Sequence, residues 1–109
     1  MNTTAILAIL FAAALLEAGG DALVRMGLHS AGSLRAGYMI AGAVVLFAYG
    51  YTVNAPPWDF GRLLGVYVVF FFVVAQLINW LAFHQKPGPG VLAGGTLIVL
   101  GGVLVSAWK

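Results

Sequence analysis

The chain has 109 residues, of which 62% are apolar and 7% charged, with three acids, five Lys or Arg, two His and no cysteine. A water-soluble domain carries roughly 25% charged residues, so that class is excluded. Collagen-like, coiled-coil, disulfide-stapled and disordered chains each require a composition that is absent here. A polytopic membrane protein remains.

A spanning helix needs about 20 predominantly apolar residues. Four stretches qualify, at about 3–24, 36–55, 63–84 and 90–108. Residues 1–109 are therefore expected to form a single all-α domain of four transmembrane helices. The first stretch does not read as a cleavable signal peptide, because it lacks a basic leading region and carries a carboxylate in its second half.

The first break, 26–35, holds Gly27, Ser30, Gly32 and Ser33, residues that stop one helix and start another. In the second, Pro56 and Pro57 end helix 2, and Asp59 is placed to cap helix 3. The third, 85–89, has room only for a tight antiparallel return. Trp58, Trp80 and Trp108 fall near helix ends, as an interfacial aromatic belt requires.

With four spans the two termini share a side. Arg25, Arg35 and Lys86 face one side and Arg62 and Lys109 the other. A bias of one charge gives almost no topological instruction, which suits both a chain that inserts in two orientations and one oriented by other factors.

Four helices of this length predict a small bundle filled by its own side chains, so a path for a solute calls for two copies. Helix 4 offers a contact surface. Gly90, Gly94 and Gly101 lie within about 40° of one another, with Gly95 and Gly102 on a second track. Small residues at such spacing let backbones approach closely. Packing within one bundle is the alternative use; a dimer contact is the reading adopted.

Glu17 is the most informative residue. It follows a long apolar run, and an acid at the centre of a spanning helix costs about 2.5–3.5 kcal/mol on insertion scales. It is either neutral and bonded to a neighbouring helix, solvated near the surface, or functional; the last is the reading adopted. Asp21 and Arg25 follow at four-residue intervals on the same strip, where they can pair with each other. Glu17 is then the unpaired acid. Burial disfavours its anion, and an ionised Asp21 repels it. Such a carboxyl holds a proton or an organic cation but not both.

Ring faces attract ammonium and guanidinium groups by about 0.5–2 kcal/mol. Tyr38 and Tyr49 share a face of helix 2, and Tyr67 shares one of helix 3 with Phe71; ordinary packing is the alternative for each ring. Gln76 and Asn79 read as amides that bond between helices. His29 and His84 belong to no ligand set, so no metal and no cofactor is expected. There is no nucleophile triad, phosphate-cradling loop or nucleotide motif, so an enzyme is not expected. The net charge of +2 is too scattered for nucleic acid.

Three segments carry a family resemblance. Leu16-Glu17-Ala18-Gly19-Gly20, with Arg25 eight residues after the acid, resembles helix 1 of the small multidrug resistance superfamily. The run from Pro57 to Arg62 leading into Tyr67 is similar to its YnfA-type branch. Trp80 to Lys86, followed by a glycine-bearing helix, resembles the end of helix 3 and helix 4 of the multidrug branch. The resemblance implies an antiparallel, dual-topology homodimer in the bacterial inner membrane that exports small organic cations of quaternary ammonium, guanidinium or polyamine type against protons. Glu17 would take the role of the shared helix 1 glutamate, Tyr67 would stand near the position of a site tryptophan, and helix 4 would form the dimer contact.

Two departures accompany it. Asp21 is an acid that the family's helix 1 lacks, and Phe70-Phe71-Phe72 occupies the region where the multidrug branch has a bending glycine pair. The competing readings are a non-transporting scaffold or regulatory subunit and a subunit of a lipid-linked sugar flippase. Neither is marked by the helix 1 acid.

Overall fold

Asn2 and Asp59 open two of the four helices by the same device. In a computed structural model describing residues 1–108, the Asn2 side chain accepts the Ala5 N–H at 2.8 Å, and that of Asp59 accepts the Arg62 N–H at 3.1 Å. A side-chain oxygen at this position satisfies a backbone donor that has no intrahelical partner. The helices are α1 (Thr3–Leu28), α2 (Gly32–Val53), α3 (Phe60–Phe83) and α4 (Pro89–Ala107). All four are long and apolar enough to cross a membrane. In hydrocarbon no water replaces a lost backbone bond, so each crossing must satisfy its own peptide groups.

The first connection is shorter than the sequence suggests. Helix α1 continues through Arg25 to Leu28, and α2 starts at Gly32. The Ser30 hydroxyl donates to Met26 O at 2.8 Å, and Gly32 takes φ +64°, a left-handed turn that glycine adopts without a Cβ penalty. Local loop composition in 26–35 thus gives way to helix continuation on both sides. Helix α2 ends ahead of the prolines, with the Asn54 amide donating to Gly50 O at 2.8 Å. Helix α3 closes with His84 at φ 58°, while the Gln85 N–H bonds to Asn79 O at 3.1 Å. The left-handed turn at His84 closes the helix by giving the Asn79 carbonyl a donor beyond the last turn. Pro89 begins α4, where its missing N–H costs nothing.

Helix α1 is central. Ile6, Leu10, Ala13, Ala14 and Ala18 are buried along it, at the spacing of one helix face. It packs on α2 on one side and on α3 on the other, and α4 packs chiefly on α3. The expected bundle with a filled interior is therefore a row, α2–α1–α3–α4. Its extents are 50 × 34 × 19 Å, so the thin dimension is about two helix diameters and cannot enclose a solute. Phe47, Tyr51, Leu81 and Leu97 are exposed, as lipid-facing residues are.

Glycine permits close helix approach at two contacts. A Cβ on Gly42 would stand 3.2 Å from Gly20 O and 2.7 Å from the Val24 side chain, so α1 and α2 touch nearly backbone to backbone. On α4, a Cβ on Gly95 would meet the Phe72 ring at 2.5 Å, and one on Gly102 would meet Val69. These two glycines, expected at a dimer contact, are thus engaged with the chain's own α3, because that track faces α3 and receives its bulky side chains. Gly90, Gly94 and Gly101 have nothing within 4 Å of a Cβ. At the other end of α4, the Arg62 guanidinium donates to Ser106 O at 3.0 Å and lies 4.6 Å from the Trp58 ring, tying the start of α3 to the end of α4. Lys109, counted in the charge balance above, lies outside the described residues.

Candidate functional site

Glu17 continues the buried stripe of α1, one turn after Ala13, and is half-buried where α1 meets α3. It stands roughly 21 Å along the helix from Thr3 and 16 Å from Leu28 at 1.5 Å per residue, well inside the span. The Tyr67 hydroxyl donates to Glu17 Oε1 at 2.8 Å. Tyr67 itself is only 4% exposed, so this bond is sheltered from bulk solvent by the helix contact.

Tyr67 is the middle member of an aromatic file. Its ring centroid lies 5.6 Å from that of Tyr49 on α2 and 6.3 Å from that of Phe71 one turn along α3. Both pairs are tilted by about 30°, within the separations at which aromatic pairs attract. Three helices thus contribute to one locus: Glu17 from α1, Tyr49 from α2, Tyr67 and Phe71 from α3.

Phe71 also lines an open groove of about 290 Å³ between α1 and α3. Ala18 and Ala75 keep the groove clear because neither side chain fills it, and Asp21, Asn79, Phe83 and Arg25 provide its polar and aromatic lining. The small residues on α1 and α3 are what permit a cleft at this height. No group of His, Cys, Asp or Glu suited to a metal occurs among the described residues.

Three expectations change in the structure. Asp21 and Arg25 do not form an ion pair; Arg25 reaches across to α3 and lies 5.5 Å from the centroid of the Phe83 ring. The α1–α3 contact sets this outcome, since it brings a π face within reach of the guanidinium. Tyr38 is not part of the locus. It shares a face with Tyr49, but eleven residues separate them by about 16 Å along the axis, and Tyr38 packs instead beside Gly27 of α1. Asn79 bonds to Gln85 O at 3.2 Å in the loop after α3, rather than to another helix, and it lines the groove.

Glu17, Tyr49 and Tyr67 are brought together, and Asp21 is placed in the adjoining groove. Sequence reasoning missed the stacking of Arg25 on Phe83. No local signal announced it, because the pairing depends on how α1 and α3 lie side by side.

The chain matches no family model and no solved structure. It is similar to curated proteins along most of its length. A UPF0060 membrane protein of Herpetosiphon aurantiacus is 32% identical over 98 residues, covering 88% of this chain and 87% of that one. The UPF0060 membrane protein YfjF of Bacillus subtilis is 41% identical over 81 residues, 72% of each chain. A UPF0060 membrane protein of Clostridium perfringens is 32% identical over 95 residues, 85% of this chain and 84% of that one. Similarity of this extent, joined to four spanning helices with an acid in the first, makes the chain a multi-pass membrane protein that belongs to the UPF0060 family.

Proposed function

We propose that this protein is a member of the small multidrug resistance superfamily that works as a proton-coupled antiporter of small organic cations, using Glu17 as the exchanging group. The observation that carries the reading is the bond between the Tyr67 hydroxyl and Glu17 Oε1 beside an aromatic file and an open groove. An acid inside a span is costly and is retained where it serves an ion or substrate path.

A hydroxyl is suited to this partnership because it can donate to a carboxylate and accept from a carboxylic acid. The Glu17–Tyr67 pair therefore persists whether Glu17 is charged or carries a proton. A cation entering from the groove meets either a negative carboxylate, which holds it, or a neutral acid, which does not. Proton release and cation binding become alternatives at one atom, and that exclusion converts a proton gradient into cation export. The rings of Tyr49, Tyr67 and Phe71 supply π faces for an ammonium or guanidinium group.

A row of helices 19 Å across its thin dimension gives no enclosed path, so the working unit in this reading is a homodimer. The open track of Gly90, Gly94 and Gly101 on α4 is a surface on which a second copy can approach closely. Two copies then present two Glu17 carboxyls to one shared site.

The test is exchange by the purified protein in liposomes with an imposed pH gradient, reading proton flux when tetraethylammonium or guanidinium is added. Flux in the parent that disappears in Glu17→Gln supports the antiporter. Equal flux in parent and variant overturns it. Absence of flux together with stoichiometric co-purification of another membrane protein favours the scaffold.

A further inference from the structure

We infer that the open cleft between the start of α3 and the end of α4 holds a phospholipid whose headgroup carries both a phosphate and a primary ammonium, the first on Arg62 and the second on Asp59. The inference does not depend on the antiporter reading.

The cleft has a volume of about 560 Å³ and is lined by Asp59, Arg62, Leu104, Val105 and Trp108. Its chemistry changes with depth. Asp59 caps α3 and Arg62 lies in the first turn, so both charges stand where a spanning helix leaves the hydrocarbon. Trp108 caps the end of α4, and the Trp58 ring lies 4.6 Å from the Arg62 guanidinium. Indole rings favour that same headgroup level. Leu104, one turn before Trp108, and Val105 begin the apolar wall. Charged, aromatic and then aliphatic surface is the profile of a lipid read from headgroup to acyl chain.

The two charges fix which headgroup fits. Arg62 is held by its bond to Ser106 O and by the Trp58 ring, and it forms no ion pair with Asp59 among the described residues. A guanidinium has five N–H donors, of which Ser106 O takes one. The rest of the fork matches a phosphate. Asp59 accepts the Arg62 backbone N–H at Oδ2, which leaves Oδ1 as an acceptor. A purely anionic headgroup on Arg62 would be repelled by that carboxylate, and a quaternary ammonium has no N–H to give it. Ethanolamine links a phosphate to a primary ammonium through a short two-carbon chain. It therefore offers an anion to Arg62 and three N–H donors to Asp59, two residues set side by side at the start of one helix.

The experiment is native mass spectrometry of the full chain in detergent after incubation with equimolar phosphatidylethanolamine, phosphatidylcholine and phosphatidylglycerol. The parent should retain phosphatidylethanolamine about tenfold over the other two, the effect of one hydrogen bond to a charged group. Asparagine caps a helix as well as aspartate does, so Asp59→Asn keeps the start of α3 and should remove the preference through its neutral amide. Arg62→Gln should lower retention of all three lipids, since they share the phosphate. Hydrogen exchange locates the lipid: phosphatidylethanolamine should slow amide exchange at 103–107 in the parent but not in Asp59→Asn. Lipid bound elsewhere around the protein would not produce that difference. Equal retention of the three lipids by the parent overturns the site, as does a preference that survives Asp59→Asn, undiminished retention in Arg62→Gln, or slowed exchange confined to other segments.

Discussion

The hydroxyl of Tyr67 and the carboxylate of Glu17 meet at 2.8 Å, fifty residues apart in sequence, across the contact of α1 with α3. A hydrogen bond to a charged group contributes about 1.5–3 kcal/mol, and more is at stake when its loss leaves a half-buried acid without a partner. Tyr67→Phe should therefore lower the stability of the folded chain by about that amount. Glu17→Gln should cost less, because an amide still accepts from the hydroxyl. In a double-mutant cycle read by thermal unfolding in detergent, the two sites should couple by about 0.5–3 kcal/mol. Simple additivity would count against the bond.

Gly42 and Gly37 lie on the same helix and should respond oppositely to enlargement. A Cβ on Gly42 runs into Val24 and approaches Gly20 O, while one on Gly37 meets nothing within 4 Å. Gly42→Val is expected to push α1 from α2 and to destabilise by about 1–3 kcal/mol, the usual range for overpacking. Gly37→Ala should be neutral or slightly stabilising, since alanine is the better helix former. Unfolding midpoints of the two variants provide the comparison.

The two glycine tracks of α4 differ in whether the chain's own α3 covers them. Gly102→Leu should disturb the α3–α4 contact, because a Cβ added there would collide with Val69. Gly94→Leu and Gly101→Leu leave that contact intact, and in the proposed homodimer they fall on the face between copies. Sedimentation in detergent is expected to show weakened self-association for the Gly94 and Gly101 variants at unchanged unfolding midpoint, and a lowered midpoint for Gly102→Leu.

Arg62 fastens α4 to α3 in two ways at once, by its bond to Ser106 O and by its place over Trp58. Arg62→Ala should free the end of α4, seen as faster amide hydrogen exchange at 103–107. Arg62→Lys should rescue only part of the protection, because an ammonium lacks the planar face that stacks on the indole. Full rescue by lysine would mean that charge alone holds the two helix ends.

How much was legible in the residues can be judged at particular positions. The role of Asp59 as a cap was readable, because a short acid after two prolines has one local use. The number of spans was readable for the same reason: hydrocarbon admits only self-satisfied helices. Residues 26–35 misled, because glycine and serine there resemble a loop, whereas helix continuation leaves only 29–31 outside. Tyr38 misled in another way, since angular periodicity gives a face but no depth along the helix.

The sequence by itself determined that this protein lies in a membrane, crosses it four times and keeps an acid within the first crossing, because transfer free energy and helix capping depend on residues close in the chain. Only the tertiary structure decided that Tyr67 holds Glu17, that Arg25 turns from Asp21 to Phe83, and which glycines of α4 remain open. Each of those depends on how neighbouring helices are set side by side, and that setting follows from the fit of side chains remote in sequence, such as Leu46 against Gly20 and Phe72 against Gly95.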